Sequence, residues 1–448
     1  MKIGIRREDK NKWEARTPLV PEHIGLLKSK YNINTYLQPS KIRAFTDKEY
    51  KDVGAIIKED LSDCKLILGV KEMPNSFFND SGSYIFFSHT IKGQEYNMSM
   101  LEELLEHNCN LIDYETITDK HDRRMIFFGR FAGIAGMVNS LWAYGQKLKA
   151  EGVENPFSKI KRSYEYKNLE DLKKEIMLVG ENISEHGLPT EIRPVVCGIA
   201  GYGHVSKGAQ EILKLLPIIE IEPDQLFELE KNGFHSSNHL YVVIFKEEDM
   251  VIPKDREKKF LLQDYYDHPE KYESKFYHYL THLSLLINTI FWTPAYPRLV
   301  TKSKLRSIFE ANPEQKLKII GDITCDLEGS IEMTDRITEP DNPVYLYDPI
   351  KQTTSDAFHE NGVLIMARDN LPCEIPVDSS TDFSHVLVKF IPKILNAFQN
   401  GNLKKELLPQ PIQKALIVYK GKLTPDYKYL DKFLNSPQIL SLKRSNNE

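Results

Sequence analysis

The chain has 448 residues, enough for two or three domains with substantial cores. Its 59 basic residues nearly balance 64 acidic ones, and no basic stripe interleaved with aromatics occurs, which argues against a nucleic-acid footprint. Five scattered cysteines (Cys64, Cys109, Cys197, Cys325, Cys373) lack a C-x-x-C pair, so neither a disulfide framework nor a zinc site is implied, and no apolar run approaches the roughly 18 residues of a membrane span. The opening MKIGIRRE reads as a strand rather than a signal or transit peptide. A soluble cytoplasmic chain is the expectation, with the mitochondrial matrix left open.

The first third is a series of short β-type runs, each ending in an ionisable residue. Residues 1–5 lead into Arg6 and Arg7, 65–70 into Lys71 and Glu72, 83–87 into Ser88 and His89, and 110–114 into Glu115. Helix-like stretches at 21–30 and 98–107 lie between them, so the reading is α/β with a largely parallel sheet. Ligands of such sheets sit at the carboxyl ends of the strands, where these groups are expected to converge. Singly, each is more often a solvated loop or structural residue than a functional one. Together, a lysine, a histidine and a glutamate make a set whose pKa values can be staggered for proton transfer.

Beyond Glu115 come Asp122-Arg123-Arg124 and then residues 127–152, read as a long helix closed by Gly152 that crosses between domains. Its Ala132-Gly133 and Ala135-Gly136 pairs are poor for helix propensity and point to close packing. Residues 159–182 are lysine-rich and poorly periodic. In residues 195–216, VVCGIAGYGHVSKGAQEILKLL, an apolar run, a G-x-G turn at Gly201 and Gly203, and a helical face of Val205, Ala209, Ile212, Leu213 and Leu216 follow in order. This is how a dinucleotide-binding unit begins, although Ser206 stands where the third glycine belongs and Gly208-Ala209 supply the small surface for helix–strand packing. An ordinary glycine-rich turn stays open beside the nucleotide reading.

Residues 218–221 read as the second strand, with Glu220 and Glu222 near its end either as ordinary surface glutamates or placed to accept from a ribose hydroxyl, a feature of NAD rather than NADP sites. His235 and His239 have a metal-pair spacing but sit in a loop-like HSSNH without a third ligand, so no metal is expected. Further strands are expected at 240–245 and 318–320, the latter running into Asp322 and Asp326. Residues 383–400 read as one amphipathic helix, followed by a peripheral tail.

Several phrases are specific enough to carry a resemblance: GIRREDKNKWEARTPLVPEH, QPSKIRAFTDKEY, GVKEMP, FFSHTIKGQEYNM, LIDYE, FFGRFAGIAGM, GYGHVSKGAQEI, PRLVT and GDITCDLEGSIE. Together they resemble the lysine–ketoglutarate reductase domain of aminoadipic semialdehyde synthases, from residue 1 to about 430. There KGKLTPDYKYL looks like the segment that joins the reductase to a following saccharopine dehydrogenase domain, so the chain reads as a stand-alone reductase. More distantly it is similar to the lysine-forming saccharopine dehydrogenases of fungi and to alanine dehydrogenase. The resemblance implies two Rossmann-like domains with parallel sheets and an active site in the cleft between them. Residues 1–135 with 345–400 would form the substrate domain, 136–344 the nucleotide-binding domain, and 401–448 a tail.

The reaction so implied is condensation of lysine with 2-oxoglutarate and reduction of the imine by NADPH, with NADH open on account of the glutamates. Lys71 of GVKE and His89 of HTIKGQ match the family's acid–base pair, and Glu72 and Glu115 match neighbours expected to raise the pKa of both. Arg16 matches the substrate-carboxylate arginine, followed by Arg124, Arg123 and Arg130 as further carboxylate receptors. Gly201, Gly203 and Ser206 would line the cofactor pyrophosphate, with Asn288 and Asp322 near the nicotinamide. His204 replaces the asparagine more usual after the glycine. A separate saccharopine dehydrogenase partner and a homo-oligomer are both compatible with this reading, and neither a membrane nor a nucleic-acid partner is implied. Two alternatives stay in view: an NAD-linked saccharopine dehydrogenase or related amino-acid dehydrogenase, and a non-catalytic ligand-binding relative.

Overall fold

The computed structural model describes residues 1–231 and 235–434. They form two compact units, Met1–Phe128 with the chain from Pro376 on, and Gly129–Ile375.

In the first unit, β1 (Lys2–Ile5), β2 (Asn34–Leu37), β3 (Ile56–Ile57), β4 (Leu66–Leu68), β5 (Ser83–Phe86) and β6 (Asn110–Asp113) make a parallel sheet in the order β3-β2-β1-β4-β5-β6. Every residue of β4, β5 and β6 is buried, as a sheet covered on both faces requires, while β2 nearer the edge alternates. Helix α1 (Pro21–Tyr31) starts on a proline whose missing N–H is not needed there, and it ends at Asn32 in the left-handed region. Helix α2 (Asp47–Asp52) is held by a capping box of Thr46 and Glu49. Helix α3 (Glu95–Glu106) buries Met98, Leu101 and Leu104. The chain winds outward from β1 to β3, returns to β4 and winds the other way to β6. That reversal makes β1/β4 the switch point, where a crevice opens at the carboxyl ends of the strands.

The described residues after 400, up to Leu434, are not a peripheral tail. Strands Leu416–Tyr419 and Lys422–Leu423 extend this sheet antiparallel at β6, and Leu416, Ile417 and Val418 are buried there. The helix expected over 383–400 is two helices, Pro376–Leu387 and Ile391–Asn396, because Pro392 can start a helix but cannot continue one.

The second unit holds β7 (Val196–Ala200), β8 (Ile218–Glu220), β9 (Leu240–Phe245), β10 (Leu285–Asn288), β11 (Ile319–Asp322), β12 (Val344–Asp348), β13 (Thr353–Ser355) and β14 (Val363–Met366). Their order is β13-β12-β14-β11-β10-β7-β9-β8, parallel except for β12 and β13 at one edge. Residues 345–375 therefore complete this sheet and not the first one, because β12 and β14 pair with each other and β14 pairs with β11. The boundary at residue 135 moves as well: helix α4 (Gly129–Ala150) lies wholly in the second unit, packed on α6 (His204–Leu213). A Cβ on Gly133 would lie 1.9 Å from the Val205 carbonyl oxygen, and one on Gly208 would lie 2.0 Å from that of Arg130. Gly208 thus serves the crossing of two helices rather than helix–strand packing. The lysine-rich stretch contains a full helix, α5 (Leu169–His186), whose Leu169, Leu172, Ile176, Val179 and Ile183 share one buried face while its lysines take the other. No helix among the described residues is long and apolar enough to cross a membrane.

Candidate active site

At the switch point of the first unit the carboxyl ends of β1 and β4 are tied together by Glu8. Its carboxylate accepts the backbone N–H groups of Val70 at 2.7 Å and Lys71 at 3.0 Å. Burial, reinforced by the charge of Glu14, lifts this carboxyl to about 7 although the two amides pull it down. Lys71 lies directly beside it. Burial first, then the positive charge of Arg16, pushes the Lys71 ammonium below the usual lysine range, against the pull of Glu14 and Glu72. The expectation that neighbouring carboxylates would raise it is therefore reversed: desolvation outweighs them.

Glu72 turns to His89. Its Oε1 lies 2.7 Å from His89 Nδ1, and its Oε2 accepts from Lys10 Nζ at 2.8 Å. Burial alone would lift this carboxyl, but the hydrogen bond and charge of His89, together with Lys10, hold it at about 2. His89 is presented by a strained turn, with φ at 51°, a region a non-glycine residue seldom occupies. Asn97 Nδ2 donates to its carbonyl at 3.1 Å, and its ring lies nearly parallel to Phe87 at 6.1 Å. The residue before it is pinned from β6: Asp113 accepts both the backbone N–H and the hydroxyl of Ser88. Complete burial raises Asp113 to about 6 in spite of those bonds.

The arginines separate into distinct roles. Arg16 is buried and braced, with Nε and Nη2 donating to the two oxygens of Glu14 at 2.7 and 2.6 Å and its guanidinium over the Phe128 ring at 4.3 Å. Arg124 is half exposed and ion-pairs with Glu115, so the partner of Glu115 is an arginine rather than the acid–base pair. Arg123 belongs to an exposed turn and pairs with Asp119, away from these groups. Arg130 lies in the second unit and forms a two-pronged bond with Glu211.

In the second unit the glycine turn follows β7. Gly201 has φ at 97°, so a side chain there would be strained, and its N–H donates to the Phe245 carbonyl at 2.9 Å. Gly203 caps α6, and a Cβ built on it meets nothing within 4 Å. An open glycine ahead of the unsatisfied N–H groups of a helix start is a cradle of the right kind for a pyrophosphate. Exposed His204 begins the helix beside it. Ser206 is buried, and its hydroxyl accepts from Gln210 Nε2 at 2.9 Å, one turn along the same helix. Asn288 and Asp322 are also shut away. Asn288 Nδ2 donates to Asp322 Oδ1 and to Ser330 Oγ, both at 2.8 Å, while Thr334 donates to Asp322 Oδ2 at 2.6 Å. Burial lifts Asp322 to about 6. These two residues lock the ends of β10 and β11 together. Glu222 is exposed beyond β8, which is an edge strand two places from β7 and not its neighbour.

Glu8, Glu14, Asp113 and Glu247, which receives the Tyr202 hydroxyl at 3.5 Å, are the polar groups that sequence reasoning passed over. Glu8, Asp113 and Glu247 each follow or end an apolar run, the same signal that singled out Lys71 and His89, whereas Glu14 lies in a charged stretch. A cavity of about 740 Å³ lies elsewhere, at the amino ends of β7 and β11 between Arg193, Tyr277, Lys304 and Lys316, and gathers none of the acid–base set.

Residues 4–135 match the family model of the alanine dehydrogenase/PNT N-terminal domain, and residues 218–426 match that of the C-terminal domain. An alpha-aminoadipic semialdehyde synthase of Arabidopsis thaliana is 37% identical over 451 residues, covering 97% of this chain and 42% of that protein; the chain thus spans less than half of that relative's length. A saccharopine dehydrogenase (NAD(+), L-lysine-forming) of Emericella nidulans is 25% identical over 422 residues, 90% of this chain and 94% of that one. The solved structure of an L-alanine dehydrogenase aligns with a TM-score of 0.61 at 17% identity, covering 97% of this chain and 100% of that one, a likeness of fold. On these matches the chain belongs to the alanine dehydrogenase/PNT family.

Proposed function

We propose that the chain condenses the ε-amine of L-lysine with the keto group of 2-oxoglutarate and reduces the product with a reduced nicotinamide nucleotide, giving saccharopine. The observation that carries this reading is Lys71, depressed below its ordinary range at the switch point, with Glu8 and the His89–Glu72 pair beside it. Condensation moves two protons from the attacking nitrogen to the keto oxygen, which leaves as water. Groups that can both give and take protons are needed for that transfer. Lys71 and His89 are assigned to it, with Glu72 orienting the imidazole and Glu8 holding the Lys71 backbone. Arg16, braced by Glu14 and Phe128, is assigned to a substrate carboxylate, with Arg124 as a more exposed second receptor. In the second unit Gly201 and Gly203 admit the pyrophosphate, and the nicotinamide when bound supplies the hydride.

The near-complete mutual coverage with the Emericella nidulans relative favours a second reading, the same reaction run toward lysine. Against the NADPH that the resemblance implies stands an acidic corner beside the glycine turn. The assignment of Lys71 is tested by Lys71→Met: turnover should fall by about 10²- to 10⁴-fold with nucleotide affinity kept. Full turnover in that variant would overturn it.

A further inference from the structure

In a doubly wound sheet, the group that reads the adenosine ribose follows the strand beside the one that carries the glycine turn. Here that neighbour is β9. Phe245, at its end, is paired with Ala200, and its carbonyl receives the Gly201 N–H. β8 lies outside β9, and its last residue, Glu220, pairs with Val242, well upstream of Phe245. The glutamate after β8 is thus a full strand spacing further out, about 4.8 Å, and set back along the sheet.

We infer that Glu247, just past β9, is the ribose-reading group and that it makes the chain prefer NADH to NADPH; this rests on the nicotinamide reading above. Glu247 Oε1 accepts the hydroxyl of Tyr202, which stands between the two glycines of the turn, at 3.5 Å, and that of Tyr266 at 2.8 Å. Oε2 carries no hydrogen bond among the described residues. Tyr202 and Tyr266 are 45% and 44% exposed, so this corner faces solvent. A carboxylate fixed there accepts hydrogen bonds from ribose hydroxyls and repels a 2′-phosphate. Glu248 and Asp249 follow it in the short helix Glu247–Met250, and Lys246 alone among residues 246–249 opposes their charge.

The test measures equilibrium dissociation constants of NADH and NADPH, by calorimetry on the full chain, for wild type, Glu247→Arg, Glu247→Gln and Glu222→Arg, with a thermal melt to show that each is folded. Wild type should bind NADH about tenfold or more tighter, Glu247→Arg should reverse the order, Glu247→Gln should narrow the gap, and Glu222→Arg should leave it in place. Tighter NADPH binding by wild type, an unchanged preference in both folded Glu247 variants, or a preference moved by Glu222→Arg overturns the assignment while leaving the nicotinamide reading intact. Binding of neither nucleotide by wild type removes that reading, and the inference with it.

Discussion

A carboxyl sealed against two backbone amides has little water to stabilise its charge, which is why Glu8 sits at about 7 when an ordinary glutamate lies near 4.5. The folded chain therefore holds this proton more tightly than the unfolded one. The contribution to stability is fully present below about 4.5 and is lost as pH rises toward 7, by about 3 kcal/mol at most for this group. Glu8→Gln should flatten that part of the profile; urea melts at pH 5 and pH 8 that differ as much in the variant as in wild type would contradict it. Glu72 is the opposite case, held at about 2 and ionised throughout the working range. In the proposed reaction it would orient His89 rather than exchange protons. Replacing it with glutamine should lower kcat by roughly tenfold or more and shift the pH–rate profile, with the KM for nucleotide unmoved. A profile of wild-type shape and height would exclude that role.

Helix α4 meets α6 through Gly133 and Gly208, each against a backbone carbonyl that cannot swing aside as a side chain can. Gly208→Ala should destabilise the second unit by about 1–3 kcal/mol or more, read as a lowered Tm, and an unchanged Tm would mean that the two helices can part at little cost. The strands after residue 400 give a second expectation for an element. Deleting the chain from Pro409 on strips β6 of its antiparallel neighbour and uncovers an apolar edge, so the product should be insoluble or clearly less stable. A truncated chain with the wild-type melt would return that segment to the periphery. The strands themselves were legible because a short apolar run that ends in a charge is too brief for a buried helix and suits a strand that surfaces at its carboxyl end. Their order was not: β8 comes next after β7 in the chain, yet the longer, apolar β9 pairs with β7, and β8 is a short edge strand ending in Glu220. The proposed transfer of the ribose-reading role from Glu222 to Glu247 rests on that strand order.

For the whole molecule, the two-unit α/β class and the cluster of Lys71, Glu72 and His89 at strand ends could be read from the chain, because parallel sheets bring successive carboxyl ends to one crevice. What could not be read was which polar residues are spent on structure. Ser206, Asn288 and Asp322 carry chemistry-bearing side chains at suggestive positions, yet all three are buried, Ser206 bonded to Gln210 and the other two to each other. Arg16 shows the same in milder form, its guanidinium committed in part to Glu14 before any substrate arrives. The most direct test of the central claim follows the oxidation of NADH, and separately of NADPH, by the full chain with lysine plus 2-oxoglutarate and with each omitted in turn. Oxidation that requires both substrates, with saccharopine identified as the product by mass, is the predicted result. No oxidation of either nucleotide with both substrates present, or oxidation supported by one substrate alone, would contradict it.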